Sequence, residues 1–181
     1  MDSNTIALYY HIPFCARKCF YCAFYSVPWA TEEDKDAYLK ALCRQTVSFP
    51  ESRPVSSVYF GGGTPNLFGA ERLSAVLDAA RNYYPFRKDC EITVEVNPGS
   101  VTAKELMELR EAGVNRLSIG MQSSDDRTLK RLGRTHSFSD VVQCVENART
   151  ADFRISVWIC FSRCLVSRVK SSADPFRMRL T

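Results

Sequence analysis

Strand patterns alternate with helical patterns along most of this chain, and this alternation is the strongest constraint on its fold. Short apolar segments typical of buried strands occur at residues 6–10, 58–60, 91–96, 116–121 and 154–158. Because strands that alternate with helices pair in parallel, the sequence predicts an α/β fold. Four complete strand–helix units and a fifth strand are too few for an eight-stranded barrel. We therefore expect a partial, open β/α barrel of four to five units.

Start and stop signals mark the predicted helices. Three segments resemble capping boxes, in which a Ser or Thr is followed three residues later by an acidic residue: Thr31 with Asp34, Thr102 with Glu105, and Ser137 with Asp140. Gly113 stands where a glycine would end the third helix. The apolar face of the first helix is predicted to contain Tyr38, Ala41, Leu42 and Phe49. The second helix is predicted to bury Leu73, Val76, Leu77, Ala80 and Tyr84.

The composition indicates a globular chain of one domain. It has 181 residues, of which 45% are hydrophobic and 24% are charged. A net charge of +4 is too small to indicate a nucleic-acid partner. We expect no membrane span, and the absence of a leader pattern predicts a cytoplasmic protein. In that reducing compartment, the eight cysteines favour metal binding over disulfides.

The three cysteines Cys15, Cys19 and Cys22 form a Cys-x3-Cys-x2-Cys array directly after the first strand. Three thiolates on one short loop can bind three irons of a cubane iron–sulfur cluster. No fourth cysteine follows at close spacing, which leaves one iron open for an exogenous ligand. The alternative is a zinc site with His11 as the fourth ligand. This spacing is unusual for zinc and favours the iron–sulfur cluster.

Further candidate positions follow the later strands. Gly-Gly-Gly-Thr-Pro begins at Gly61 after the second strand, Glu95 ends the third, and Gln122 follows the fourth. Bare glycine backbone can lie against a ligand, and a carboxylate can accept hydrogen bonds from an ammonium or a ribose. Taken singly, each position has an ordinary explanation: a tight turn, a strand-end carboxylate or, for Arg134, a solvated charge. His136 is more often structural than catalytic.

Together these motifs resemble the radical S-adenosylmethionine (SAM) superfamily. The cysteine array is followed, in order, by Gly-Gly-Gly-Thr-Pro and Glu-Val-Asn-Pro. Three longer strings are similar to the oxygen-independent coproporphyrinogen III oxidase family, and in particular to its haem-chaperone branch. They are Tyr-Tyr-His-Ile-Pro-Phe-Cys, Ala-Gly-Val-Asn-Arg-Leu-Ser-Ile-Gly-Met-Gln-Ser and Leu-Lys-Arg-Leu-Gly-Arg-Thr-His. The resemblance extends over residues 6–157.

The resemblance implies a [4Fe–4S] cluster on Cys15, Cys19 and Cys22, with SAM on the fourth iron. Reductive cleavage of SAM would then give a 5′-deoxyadenosyl radical. By match to the family motifs, the SAM contacts are Tyr9, Gly62, Glu95, Gln122 and Arg134, with Tyr21, Gly63 and Thr64 as nearby candidates. The intact parent would bind haem or a porphyrin and pass haem to an acceptor protein. Its electrons would come from a reductase or a flavodoxin-type donor.

Two alternatives to the haem chaperone remain open. One is a coproporphyrinogen III oxidase, an oxidoreductase that decarboxylates propionates in haem biosynthesis. That enzyme carries a further cysteine just after the triplet, whereas Ala23 and Phe24 stand here. The other alternative, of a different class, is a zinc-binding interaction module.

The segment after Val157 departs from the family pattern, which expects an aspartate and then Leu-Pro-Gly. Regrouping the codons by one base makes Val-Asp-Leu-Leu-Phe-Ala-Leu-Pro-Gly encodable from Val157 onward. We therefore expect a frameshift near residue 157 and a truncated form of a longer family member. Residues 1–157 are predicted to form the partial core domain, and residues 158–181 a non-native or disordered tail.

Overall fold

The computed structural model describes residues 4–158 of the chain. In this part the strands are β1 (Ile6–Ile12), β2 (Phe14–Cys15), β3 (Val27–Pro28), β4 (Val55–Gly62), β5 (Phe86–Val96), β6 (Arg116–Gly120) and β7 (Arg154–Trp158). The α-helices are α1 (Glu32–Thr46), α2 (Ala70–Tyr83), α3 (Ala103–Glu111), α4 (Asp126–Arg131) and α5 (Phe138–Thr150). Short 3₁₀ turns cover Pro65–Phe68 and Pro98–Ser100.

Five strands form one parallel sheet in the order β1-β4-β5-β6-β7. The spatial order follows the chain order, as it does when each helix returns the chain to the next position in the sheet. Within residues 4–158, β1 and β7 are the two edges and do not pair with each other, so the sheet is open. This architecture confirms the predicted α/β fold and the partial β/α barrel.

Side chains alternate across the sheet and divide it into two faces. On one face, Val58 and Phe60 of β4 belong to the same buried cluster as Leu73, Val76 and Leu77 of α2. Burial of each such side chain stabilises the fold by roughly 1.5–3 kcal/mol. The opposite face is polar and carries Tyr59, Thr93, Glu95 and Ser118. The helices therefore cover one face, and the polar face is left to form a site.

The helix boundaries confirm the three predicted capping boxes, and Gly113 has a positive φ of 93° just past α3. The predicted face of α1 was wrong at two positions. Ala41 is exposed, and Phe49 is 62% exposed. Because α1 ends at Thr46, Phe49 lies beyond the helix and the helical spacing no longer directs its side chain. Tyr84 is buried, but it follows α2 as its C-cap.

A small two-stranded parallel sheet was not predicted. β2 pairs with β3 through Phe14 opposite Val27 and Cys15 opposite Pro28. The pairing closes the cysteine loop at its base, so the loop is held at both ends. None of the helices within residues 4–158 is long and apolar enough to cross a bilayer.

Candidate functional site

A cavity of about 410 Å³ opens at the carboxyl ends of the sheet strands. Of the eleven residues predicted for the site, ten line it: Cys15, Cys19, Tyr21, Cys22, Gly62, Gly63, Thr64, Glu95, Gln122 and Arg134. These positions come from five separate segments of the chain, and the parallel sheet brings them together. Tyr9 is the exception. Its side chain is 59% exposed, and its ring stacks on Tyr59 at 6.1 Å between centroids.

The cysteine loop is fixed to the rest of the molecule by backbone hydrogen bonds. The amide of Cys22 donates to the carbonyl of Cys19 at 3.1 Å and forms a local turn. The amide of Phe20 donates to the carbonyl of Leu132 at 3.2 Å and connects the loop to the end of α4. All three thiols are partly buried and free.

Two of the three thiols receive hydrogen bonds from distant segments. The Thr64 hydroxyl donates to Cys15 Sγ at 3.7 Å, and Arg134 Nη1 donates to Cys19 Sγ at 3.6 Å. Burial raises the pKa of Cys15, and the hydrogen bond from Thr64 opposes that increase. Donors of this kind orient cluster ligands and adjust their basicity.

The arrangement of the thiols bears on which metal group they suit. Within residues 4–158, no group of three His, Cys, Asp or Glu side chains converges as a single metal ion requires. A cubane cluster does not require such convergence, because each thiolate binds a different iron. His11, the proposed fourth zinc ligand, instead faces the carbonyl of Tyr25 from Nε2 at 3.1 Å. With His11 turned toward Tyr25, the loop offers three thiols, the number that a cubane cluster with one open iron requires.

Glycines allow the end of β4 to approach the cysteine loop closely. Gly62 has a φ of 113°, and a Cβ built there would lie 2.5 Å from the His11 ring. A Cβ on Gly63 would lie 2.7 Å from the carbonyl oxygen of Phe14. The amide of Gly63 donates to the carbonyl of Ile12 at 2.8 Å, which fastens the two segments together. Side chains at these positions would push the loop away from the strand end.

Glu95 is held beneath these glycines by two donors. The Tyr59 hydroxyl donates to Glu95 Oε1 at 2.6 Å, and the Gly62 amide faces Oε2 at 3.2 Å. Burial and the hydrogen bond to Glu95 raise the pKa of Tyr59 to about 12, so the phenol remains a donor at neutral pH. Tyr59 was not among the predicted site residues, although it precedes Gly61 by only two residues on the same face of β4.

Arg134 and Gln122 form the far wall of the cavity. Arg134 Nη2 donates to Asn97 Oδ1 and to the carbonyl of Gly120, each at 3.0 Å. Gln122 has a left-handed backbone with a φ of 65° and follows β6 directly. Asn97 was not among the predicted site residues either. Its signal was its position two residues after Glu95, which places both on one side of the strand end.

Three buried polar side-chain atoms have no hydrogen-bond partner in the part of the chain that the structure describes. They are Ser26 Oγ, Gln122 Oε1 and Arg134 Nε, and all three residues line the cavity. Buried polar atoms are otherwise almost always paired, so these three leave hydrogen-bonding positions in one cavity that water or a polar ligand can fill. They comprise a donor, an acceptor and a hydroxyl. Such a set fits SAM, which carries an ammonium, a carboxylate and ribose hydroxyls.

The family model of the radical SAM superfamily matches residues 9–165 of this chain. The chain belongs to the radical SAM superfamily. Membership implies a [4Fe–4S] cluster and SAM as cofactors. The matched residues include the three cysteines of the array, and all three line the cavity.

Among its curated relatives, the heme chaperone HemW of Escherichia coli is 42% identical over 134 residues, or 72% of this chain. HemW of Lactococcus lactis is 37% identical over 171 residues, or 93% of this chain. A mitochondrial radical S-adenosyl methionine domain-containing protein of Bos taurus is 41% identical over 158 residues, or 86% of this chain. The chain spans 35% to 45% of the length of these three relatives.

Solved structures agree on the fold. The coproporphyrinogen III oxidase HemN of Escherichia coli superposes with a TM-score of 0.78 at 29% identity. The match covers 85% of this chain and 37% of that enzyme. The structure of native anSMEcpe with bound AdoMet has a TM-score of 0.58 at 16% identity over 83% of this chain, which shows the shared fold alone.

Proposed function

We propose that this chain is the cluster-binding and SAM-binding part of a haem chaperone of the HemW type. The observation that carries the proposal is the cavity that the three cysteines share with unpaired polar atoms from other strand ends. Cys15, Cys19 and Cys22 would hold the cluster. Gly62, Glu95, Gln122 and Arg134 would bind SAM, with Tyr21, Gly63 and Thr64 nearby.

The chain's own residues would bind, orient and shield the ligand. The Glu95 carboxylate is oriented by Tyr59 and can accept hydrogen bonds from an ammonium or a ribose. Arg134 Nε and Gln122 Oε1 offer one donor and one acceptor to polar groups of SAM. When bound, the cluster and SAM together supply one-electron chemistry at the sulfonium. We also propose that Tyr9 contributes through its contact with Tyr59, because it does not line the cavity itself.

Haem delivery is supported over porphyrin oxidation by two observations. Relatives named as heme chaperones are 35–42% identical to this chain. Ala23 also stands where the oxidase carries a further cysteine. The structural match to HemN supports the alternative, an oxygen-independent coproporphyrinogen III oxidase. In either case we propose a haem or porphyrin ligand for the whole protein, with a reductase or flavodoxin-type electron donor. If the whole protein is a chaperone, we propose a haem-accepting protein as a further partner.

Anaerobic reconstitution with iron and sulfide tests the cluster. We expect about four irons and four sulfides per chain, and protection of Cys15, Cys19 and Cys22 from alkylation as mapped by mass spectrometry. Cys144 is the matched control: it is 2% exposed and burial raises its pKa to about 11, so it resists alkylation with or without the cluster. A colourless protein with stoichiometric zinc would establish the zinc-binding module instead.

A second experiment distinguishes the two haem-related functions. The full-length parent is incubated with haem and, separately, with coproporphyrinogen III under reducing conditions with SAM. Haem binding without protoporphyrinogen formation supports the chaperone, and protoporphyrinogen formation supports the oxidase. Because clustered free thiols persist in reducing compartments, we propose a cytoplasmic location, which fractionation of the source cells would check.

A further inference from the structure

A buried histidine connects the ends of two neighbouring strands beside the cavity. His136 lies between α4 and α5 and is 4% exposed. Its Nδ1 is 3.0 Å from Asn97 Oδ1, just after β5, and its Nε2 is 3.1 Å from the carbonyl oxygen of Met121, just after β6. Gly99 packs so closely that a Cβ built there would lie 2.9 Å from His136 Cβ. The ring therefore has little room to move.

The orientation of the Asn97 amide is fixed by Arg134. Arg134 Nη2 lies 3.0 Å from Asn97 Oδ1, and a guanidinium has only donors. Turning the amide around would set its NH₂ group against the guanidinium. The atom that faces both Arg134 and His136 is therefore the oxygen. His136 Nδ1 must carry a proton if it is to bond with Asn97.

The surroundings of His136 keep its ring neutral. Burial and the positive charge of Arg134 lower the pKa of His136, while the Met121 carbonyl, Asp140 and Asp126 act in the opposite direction. A neutral imidazole has one N–H, although both ring nitrogens of His136 face acceptors. A proton on Nε2 would leave a bare Nδ1 against Asn97 Oδ1, and rotation of the amide cannot relieve that contact because Arg134 needs the oxygen. A proton on Nδ1 leaves a bare Nε2 against the Met121 carbonyl, which already accepts from the Ser123 amide at 2.8 Å. A proton on Nδ1 keeps Asn97 in place for Arg134.

We propose that His136 is a positioning residue that donates from Nδ1 to Asn97 Oδ1. Through Asn97 it holds the Arg134 guanidinium between the carbonyl of Gly120 and the thiol of Cys19. The hydrogen bond between His136 and Asn97 does not depend on any bound cofactor. Its consequence for SAM rests on the proposed function, in which Arg134 is a SAM ligand. Without the hydrogen bond from His136, Asn97 would no longer fix the orientation of the Arg134 guanidinium. SAM affinity would then fall about tenfold.

Nuclear magnetic resonance of the ring nitrogens tests the hydrogen bond without any cofactor. The chain has two histidines, so a His11→Asn variant assigns both sets of signals. Long-range ¹H–¹⁵N correlation at pH 7.5 is expected to show His136 protonated at Nδ1 and bare at Nε2. A ring protonated at Nε2 with a bare Nδ1 would overturn the proposal, whatever the protein binds.

SAM binding to the reconstituted protein tests the consequence. We expect His136→Gln and Asn97→Ala each to weaken SAM binding about tenfold in anaerobic calorimetry. The double variant should be no weaker than either single variant, because both changes remove the same anchor. Thr46→Val is the control for a lost buried hydrogen bond, since Thr46 is 6% exposed and its hydroxyl bonds to the Leu42 carbonyl and to the Tyr10 hydroxyl. It should bind SAM as the wild type does.

The outcomes separate the inference from the proposed function. A wild-type protein that holds the cluster but does not bind SAM counts against the proposed function, and the nitrogen spectra still decide the role of His136. Unchanged SAM affinity in His136→Gln, or a hundredfold loss in the double variant from independent tenfold losses, would overturn the positioning role. If a variant does not fold, the spectra of the wild-type ring remain sufficient.

Discussion

At the scale of single residues, the site is built from donors aimed at cysteine sulfur. Thr64 reaches Cys15 from the end of β4, and Arg134 reaches Cys19 from the segment after α4. A hydrogen bond to a thiolate stabilises its negative charge and reduces its donation to iron. Such outer contacts therefore affect both how tightly a cluster is held and how easily it is reduced.

The Thr64→Val variant isolates one of these donors, because valine keeps the branched shape and removes the hydroxyl. We expect cluster affinity to fall about tenfold. The reduction potential should also become more negative, since the more charged reduced state loses a donor. Iron retention against a chelator and a potentiometric titration followed by electron paramagnetic resonance measure the two effects. Thr46→Val makes the same chemical change far from the cavity, and an equal response in both variants would contradict the prediction.

At the scale of elements, the site depends on how strands end and helices begin. β4 ends in glycines that let it touch the cysteine loop, and α5 begins with a capping box one residue after His136. Gly62 combines a positive φ with a close approach to a ring. Ser137 satisfies the amide of Asp140, whose carboxylate accepts from the backbone of Ser137 in return. The glycines that end β4 and the capping box that begins α5 therefore also fix the walls of the cavity.

Gly62→Ala should destabilise the fold more than Gly69→Ala. Both glycines have a positive φ, of 113° and 97°, so either alanine costs about 1–2 kcal/mol of backbone strain. A Cβ on Gly69 would meet nothing closer than 3.6 Å, whereas one on Gly62 would overlap the His11 ring. That overlap should add roughly 1–3 kcal/mol. Urea unfolding of the cluster-free protein measures both, and equal losses would show that the close approach is unimportant.

Ser137→Ala should cost about 1 kcal/mol of unfolding free energy through loss of the α5 cap. Thr102→Ala removes the equivalent cap from α3 and should cost a similar amount. Only the Ser137 change lies next to the segment that carries Arg134 and His136. Amide hydrogen exchange at residues 134–138 is therefore expected to accelerate in Ser137→Ala alone. Equal exchange rates at these residues in the two variants would show that the α5 cap does not order the segment that carries Arg134 and His136.

At the scale of the whole molecule, the described chain is an open five-stranded sheet whose polar face carries the cavity at one end. β1 and β7 are its edges, and unpaired edges favour association with other chains. The chain spans less than half of its curated relatives, so haem binding and transfer are proposals about the whole protein. The structure describes the chain only as far as Trp158. The predicted frameshift near residue 157 and the predicted tail after it therefore stay predictions.

The coding DNA tests that prediction directly. Read one base out of frame from Val157, it should encode Asp-x-x-x-x-Leu-Pro-Gly. Sequencing of the genomic locus from several isolates is the measurement. An unrelated string in the shifted frame would contradict the predicted frameshift.

The sequence by itself determined the five strands of the main sheet, the longer helices and ten residues of the lining of the site. Capping boxes, the glycine after α3 and the cysteine array act over a few residues, so their signals are visible in the printed order. The alternation of strands and helices then implied that strand ends meet. That inference brought ten of the eleven predicted residues to one cavity.

Only the tertiary structure decided which partners hold those residues. Arg134 and Cys19 are 115 positions apart, and Asn97 and His136 are 39 apart, so no local pattern pairs them. Tyr59 and Asn97 were missed although each lies two residues from a predicted position, and Tyr9, which does not line the cavity, stays a prediction as a SAM contact. Over short separations the chain geometry fixes the contact, whereas over long ones the contact is chosen by how the helices pack on the sheet.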